Sequence, residues 1–385
     1  MERYETKPLK EKHFDNLWLN TDKFSYSLNN IRKKGHGKDY LEQERPLFPT
    51  YIVSTVDSYS RYAFRTDLAF DYNITSEDIE RDIEVLRENH LYNFAQKNAQ
   101  YRYSYYGVAG KDELKENTDN DIIDKNNLQL RKDYIDGFHV NTTYTAYAHY
   151  WLIRRMLNVD NINYVCDEDT SLMRVYTKEV KSGDVNIFTC RVDKTLSKKE
   201  AYIRYSIATN NLHEWQDFIG FKGSLKDTAI NKIAHNLSKH KFYKYVEYKG
   251  KNYPVYSHNP IEHPFPHKDE GIRYVDCLTN LSRLPSLELA EMLYNVDLRS
   301  INTYFNKIRR RASILERPIV SGRGEGKSYI YSNFNPKYAH YMLTILRTYL
   351  NFCDTFKYKK EDVTPAMLLG IANKPFTLED IIYFK

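Results

Sequence analysis

The chain has 385 residues, enough to bury one large α/β core or two modest ones, and the length favours two lobes. Its 57 Lys and Arg against 51 Asp and Glu leave a net charge of +6, which suits a nucleic-acid partner without requiring one. No run approaches the roughly eighteen apolar residues of a membrane span, the charged N-terminus is unlike a signal peptide, and four widely spaced cysteines exclude a zinc-ribbon or disulfide framework, so a reduced cytoplasmic protein is expected.

The first informative stretch is Leu17-Trp18-Leu19-Asn20-Thr21-Asp22, followed by Tyr51 to Phe64 (YIVSTVDSYSRYAF). Both are rich in β-branched and aromatic residues, and Pro46 and Pro49 punctuate the join, so two neighbouring strands are predicted. Asp22 falls within the first. An acid there is costly unless a cation or donor meets it, which makes it a candidate metal ligand. Residues 65–73 continue as a third strand or edge segment, and Thr75 to Asp78 offers a capping box for a helix over about 77–102. Residues 111–136 are polar and read as a connection carrying little core. An apolar stripe over Thr142 to Leu157 predicts a helix packed on the sheet.

Next, Ile162 to Cys166 forms a short apolar strand ending in Asp167, Glu168 and Asp169, before a helix over about 170–181. Acids at a strand's C-terminal end face the site crevice of an open α/β sheet, although Asp169 or Thr170 is also well placed to cap the helix. Val185 to Val192 predicts a buried strand, and Lys194 to Ala208 a helix. Residues 220–275, rich in Lys, Tyr and His, read as an insertion without a compact core. Within it His258, Glu262, His263 and His267 have metal-like density, but Pro260, Pro264 and Pro266 forbid a ligand-aligning helix, and a Pro-braced surface loop is expected. The 35 tyrosines read mainly as packing at core edges rather than base-stacking platforms.

From Ser286 a single long helix is predicted, leading into Arg309-Arg310-Arg311 and bounded by Pro318. The three arginines step by roughly 100°, so at most two face one phosphate track, which Lys307 and Arg317 extend. Ser321 to Ser328 lacks the first Gly of a phosphate-binding loop and reads as a hinge. Pro336 to Phe352 predicts a last amphipathic helix.

Four stretches share an order: the strands at 17–64, the acidic strand end at 165–171, the run R-R-R-x-S-x-L-E-R-P-I at 309–319, and the tail at 349–370. Together they resemble a bacterial insertion-sequence transposase with an RNase H-like DDE integrase core. The resemblance implies an α/β fold in which a mixed sheet is flanked by helices with helical insertions. It implies core strands within 1–73, a helical segment over 74–160, a second core part over 161–219, an insertion over 220–285 and core helices with a tail over 286–385.

It further implies metal-dependent DNA strand cleavage and transfer with Mg²⁺ or Mn²⁺, Asp22 and Asp167 as the first two carboxylates, Asp169 as alternate, and Asp57 as a structural acid. The third carboxylate's place is taken by Asn302, and Glu316 or Asp297 is the substitute. Lys307, Arg309, Arg310, Arg311 and Arg317 are the expected DNA contacts. A homo-oligomer associated with the nucleoid is expected. End recognition is expected in a separate chain or in the insertion. The alternatives are a catalytically weakened, transposase-derived DNA-binding protein and an RNase H-fold nuclease.

Overall fold

The computed structural model describes residues 2–27, 49–73, 81, 85, 138–140, 142–173, 184–315, 319–320, 327–328 and 336–383. In chain order it forms α1 (Glu2–Glu11), β1 (His13–Ser27), β2 (Pro49–Asp57), β3 (Ala63–Leu68), β4 (Phe70–Asp71), β5 (Phe138–His139), α2 (Thr142–Met156), β6 (Asn158–Cys166) and β7 (Val185–Val192). There follow α3 (Lys198–Phe218), α4 (Leu225–Leu237), β8 (Tyr243–Tyr248), β9 (Lys251–Tyr256), β10 (Ile261–Glu262), β11 (Arg273–Cys277), α5 (Ser286–Tyr294) and α6 (Arg299–Arg311). The chain closes with β12 (Ile319–Val320), β13 (Lys327–Ser328), α7 (Pro336–Phe352), β14 (Phe356–Tyr358), β15 (Glu361–Val363), α8 (Pro365–Leu369) and α9 (Leu378–Ile382).

The protein is α/β, with a seven-stranded mixed sheet of order β10-β11-β7-β6-β1-β2-β3. β6 and β7 are parallel, whereas β2–β3, β7–β11 and β10–β11 are antiparallel. The chain divides into two compact units, Met1–Lys12 with Asp22–Asn158 and Ile301–Lys385, and His13–Thr21 with Val159–Ser300.

In the first unit the β2–β3 turn is locked by Asp57, whose buried carboxylate accepts from the Ser60 amide at 2.6 Å and hydroxyl at 2.7 Å. These bonds close the turn between the two strands. Sheet edge β3 is not left open, because Asn351 on α7 both donates to the Ala63 carbonyl and accepts from its amide, each at 2.9 Å. A side-chain amide here replaces the missing neighbouring strand. Arg347 on the same helix donates to the Phe64 carbonyl.

In the second unit Val165, Phe188, Cys190, Val275 and Cys277 from the sheet pack against Ile230, Ile233 and Leu237 of α4 and Leu289, Ala290 and Leu293 of α5. Residues 220–275 therefore carry core, contrary to the expectation of an insertion without one. Spacing of i, i+3 and i+7 along α4 supplies its apolar stripe, and a reciprocal box between Ser224 and Asp227 starts the helix.

The single helix expected from Ser286 is two, α5 and α6, parted at Asn295–Leu298. Apolar periodicity runs through the break because Val296 remains buried, so spacing alone does not reveal it. The helix predicted from Lys194 starts at Ser197, its N-cap, and runs on to Phe218. Of the helix predicted over 77–102, Arg81 and Val85 are described and helical, and its remaining residues lie outside the described residues, as do 111–136, 174–181, 321–326, Glu316, Arg317 and Pro318.

Candidate functional site

Asp22 is partly buried on β1, and its carboxylate accepts from the Lys23 amide at 2.7 Å. Asp167 is exposed directly after β6, one oxygen accepting from the Glu168 amide at 2.9 Å. Asp169 instead serves as a cap. Its Oδ1 accepts from the Ser171 amide at 2.9 Å and from the Ser171 hydroxyl, closing the start of the helical turn that begins at Thr170.

Two side-chain pairs fix the register of β1 against β6 within the second unit. Asn163 donates to Asn16 at 2.7 Å across an offset of 147 residues, and His13 meets Asp160, at the same offset, at 3.2 Å. Equal offsets mean the strands run parallel here, and Asn186 on β7 continues the ladder by donating to Asn163 at 2.9 Å. Carried to the end of β6, this register brings Cys166, the residue before Asp167, level with Leu19.

Asn20 is fully buried, and its Nδ2 donates to the Asp297 carbonyl at 2.8 Å. Asp297 stands in the break between α5 and α6, where its carboxylate accepts from Arg299 Nε at 2.9 Å and Nη2 at 2.6 Å. Buried Cys190, on β7, feels the same neighbourhood. Burial pushes its thiol up to about 12, Arg273 opposes the shift, and the charges of Asp297, Asp167 and Glu168 reinforce it. Asp297 thus meets Asn20 through its backbone carbonyl, and the charges of Asp167 and Asp297 both bear on Cys190.

The other predicted residues are placed differently. Asn302 is exposed on α6. Of the basic run, Lys307 and Arg311 are both held by Asp354, at 2.7 Å and 2.6 Å, and the Arg309 guanidinium lies 4.8 Å from the centre of the Phe24 ring. Asp354 stays below the usual carboxylate range, since those two cations outweigh its partial burial. Arg310 is exposed. Within the predicted Pro-braced loop, His263 is buried, and Arg273 Nη2 lies 2.6 Å from its Nε2. Burial, reinforced by the Arg273 charge, holds its pKa well below normal, so this is a neutral core histidine rather than an exposed metal ligand. Among the described residues the three side chains whose ligand atoms converge within 4.8 Å are His13, Asp15 and Asp160, all exposed.

Sequence reasoning missed a second polar assembly, in the first unit. Thr55 Oγ1 lies 2.8 Å from His149 Nε2, His149 Nδ1 lies 2.6 Å from Asp67, and Arg65 grips Asp67 through Nε at 2.9 Å and Nη2 at 2.7 Å. Burial favours neutral His149, which donates through Nδ1–H and accepts from the Thr55 hydroxyl. Burial opposes ionisation of Asp67, but His149 and Arg65 outweigh it and keep the carboxylate charged. A cavity of about 430 Å³ adjoins it, lined in part by Arg65, Asp67, His340, Tyr341 and Arg347. The available signal was Arg65 and Asp67 two apart on a strand, with one histidine on the apolar stripe of α2.

No helix among the described residues is long and apolar enough to cross a membrane. No protein-family model, curated protein or solved structure matches the chain.

Proposed function

We propose that the protein is a DDE-type transposase that cleaves DNA strands and joins the freed 3′ ends to new sites, with Asp167 and Asp297 of the second unit as two of its carboxylates and Asp22 as the one that the sequence resemblance adds. The observation that carries this reading is the register of β1 against β6. It ends β6, and with it Asp167, beside the stretch of β1 that holds Asn20, whose Nδ2 donates to the Asp297 carbonyl, all within the second unit. The sheet order supports it too, because the order reverses at β1 and β6, and chemistry in open α/β sheets gathers at such a reversal.

Asp297 is preferred to Glu316 as third acid because the helix expected to run from Ser286 to Pro318, and so to carry Glu316, ends at Arg311. Asp167 and Asp297 offer hard carboxylate oxygens, donors that suit Mg²⁺ or Mn²⁺. Ions bound there would polarise the scissile phosphate and favour deprotonation of the attacking water or 3′-hydroxyl. The chain's own part is positional. Asn20 fixes the backbone that carries Asp297, and Arg299 restrains its carboxylate until a stronger cation competes. Exposed Asp167 is open to substrate from the strand end.

The test is cleavage of a labelled duplex with Mg²⁺ or Mn²⁺. Asp167→Asn and Asp297→Asn should each lower the rate at least about 100-fold, with the fold and DNA affinity kept, since loss of charge removes ion binding and not volume. Full activity in Asp167→Asn would reject the proposal. Full activity in Asp297→Asn with loss in Glu316→Gln would return the third role to Glu316.

A further inference from the structure

Strands β8 and β9 form a two-stranded ribbon that pairs with no other strand among the described residues, in register from Tyr243↔Tyr256 to Tyr248↔Lys251. Lys249 and Gly250 join them, with φ of 51° and 70°. Positive φ at both central positions marks the type I′ turn that suits the twist of a tight hairpin, and glycine at the second removes the steric cost there. With six residues per strand, the ribbon is about 20 Å long.

The two faces differ at the base of the ribbon, while beyond it Tyr245, Glu247, Asn252 and Pro254 on the anchored face are exposed as well. On one face the base is anchored to the second unit: the Tyr243 hydroxyl donates to the Leu278 carbonyl and the Tyr256 hydroxyl to buried Asp276, each at 2.5 Å. The opposite face presents Lys244, Val246, Tyr248, Lys251, Tyr253 and Val255, all exposed. Tyr248 and Tyr253 meet edge-on at 6.5 Å between ring centres, and Lys249 lies 5.3 Å from the centre of the Tyr248 ring. Leaving Tyr248 61% and Tyr253 47% exposed is unfavourable unless a partner covers them.

Charge selects the partner. Residues 239–256 contain Lys239, Lys241, Lys244, Lys249 and Lys251 against one acid, Glu247. A cationic, aromatic two-stranded ribbon matches the width of the DNA major groove, where lysines reach phosphates and tyrosine rings pack on sugars and base edges. We propose that the outer face of the β8–β9 ribbon is a DNA-contacting surface of this protein. This deepens the transposase reading and rests on it for the identity of the nucleic acid. The lysines contact phosphates and the tyrosine rings read no donor–acceptor pattern, so the surface gives affinity with little choice of sequence.

The experiment measures binding to a 30-bp duplex and a 30-nt single strand over a salt series, in EDTA so that cleavage plays no part. The triple variant Lys244→Ala/Lys249→Ala/Lys251→Ala should bind the duplex about 10- to 100-fold more weakly and lower the log–log salt slope by about 2 to 3. The corresponding triple Lys→Arg variant should restore both. A separate Tyr248→Ala/Tyr253→Ala variant should weaken binding while leaving the slope unchanged. Melting temperatures matched to wild type would exclude misfolding, which exposed positions make easy to avoid. Unchanged affinity and slope in the alanine variant would overturn the proposal, and if that variant still cleaves DNA the transposase reading survives alone. Absence of any DNA binding by wild type would overturn both. Self-association of wild type that the alanine variant abolishes, with DNA binding intact, would show that a second copy covers the ribbon and would also overturn it.

Discussion

Asp67→Asn is the most informative perturbation of the first unit, because a single carboxylate there satisfies two groups at once. It takes two bonds from Arg65 and one from His149, all between 2.6 and 2.9 Å, while Arg65 and Asp67 side chains are only 16% and 18% exposed. Asparagine fills the same volume but has no charge and only one acceptor oxygen, so it strands at least one donor. Breaking a largely buried charge pair while leaving its partner behind costs about 3 to 5 kcal/mol. For a unit of this size that lowers the melting temperature by roughly 10 °C. Urea unfolding followed by tryptophan fluorescence and circular dichroism would give the free energy, and the slope with denaturant should not change. Adding Arg65→Ala should cost much less in the Asp67→Asn background than in wild type, since the two share one interaction. A loss below about 1 kcal/mol, or full additivity, would refute the buried chain as a stabilising element.

Further outcomes are specific. His149 and His263 both have pKa values lowered in the fold, so they resist the proton that the unfolded chain accepts. Stability should be full above the unfolded value of about 6.5 and fall by up to about 1.4 kcal/mol per pH unit for each histidine below it. His149→Gln should flatten that fall by up to one proton's worth, and an unchanged pH profile would count against burial of a neutral ring. Asp354→Ala should free Lys307 and Arg311, raising DNA affinity and steepening the salt slope by up to about 2 if the run lies on the DNA path. No change would place DNA elsewhere. Ala substituted for Ser197, the N-cap of α3, should cost about 1 kcal/mol in urea unfolding.

Local features of the chain were legible where a single physical cause dominates. Val185 to Val192 is a largely buried strand at the predicted bounds because an interior strand, here between β6 and β11, needs a mostly apolar run, and Pro336 to Phe352 is a helix at the predicted bounds because proline opens it and its stripe is regular. Asp167 at a strand end follows from the same local logic. What escaped was tertiary. The Asn20 bond to Asp297 spans 277 residues, and no local pattern encodes it. Val296 keeps the apolar rhythm through the gap between α5 and α6, so one helix was expected where the chain turns and sets down Asp297. Composition misled over 220–275, because the exposed Lys and Tyr of the ribbon outnumber the few core residues of α4 that pin the segment. The Lys-Gly pair at 249–250 was a hairpin signal hidden in that composition.

The most direct test is strand transfer by the intact chain: a 3′-labelled duplex, a supercoiled target plasmid, and Mg²⁺ or Mn²⁺, with wild type beside Asp22→Asn and Asp167→Asn. Wild type should give label covalently joined to plasmid, and each variant should lose the product by about 100-fold or more while binding the duplex as tightly as wild type. Label that is cleaved but never joined would make the protein a nuclease instead. Joining that survives in either variant would contradict the assignment of Asp22 and Asp167 as the reacting carboxylates.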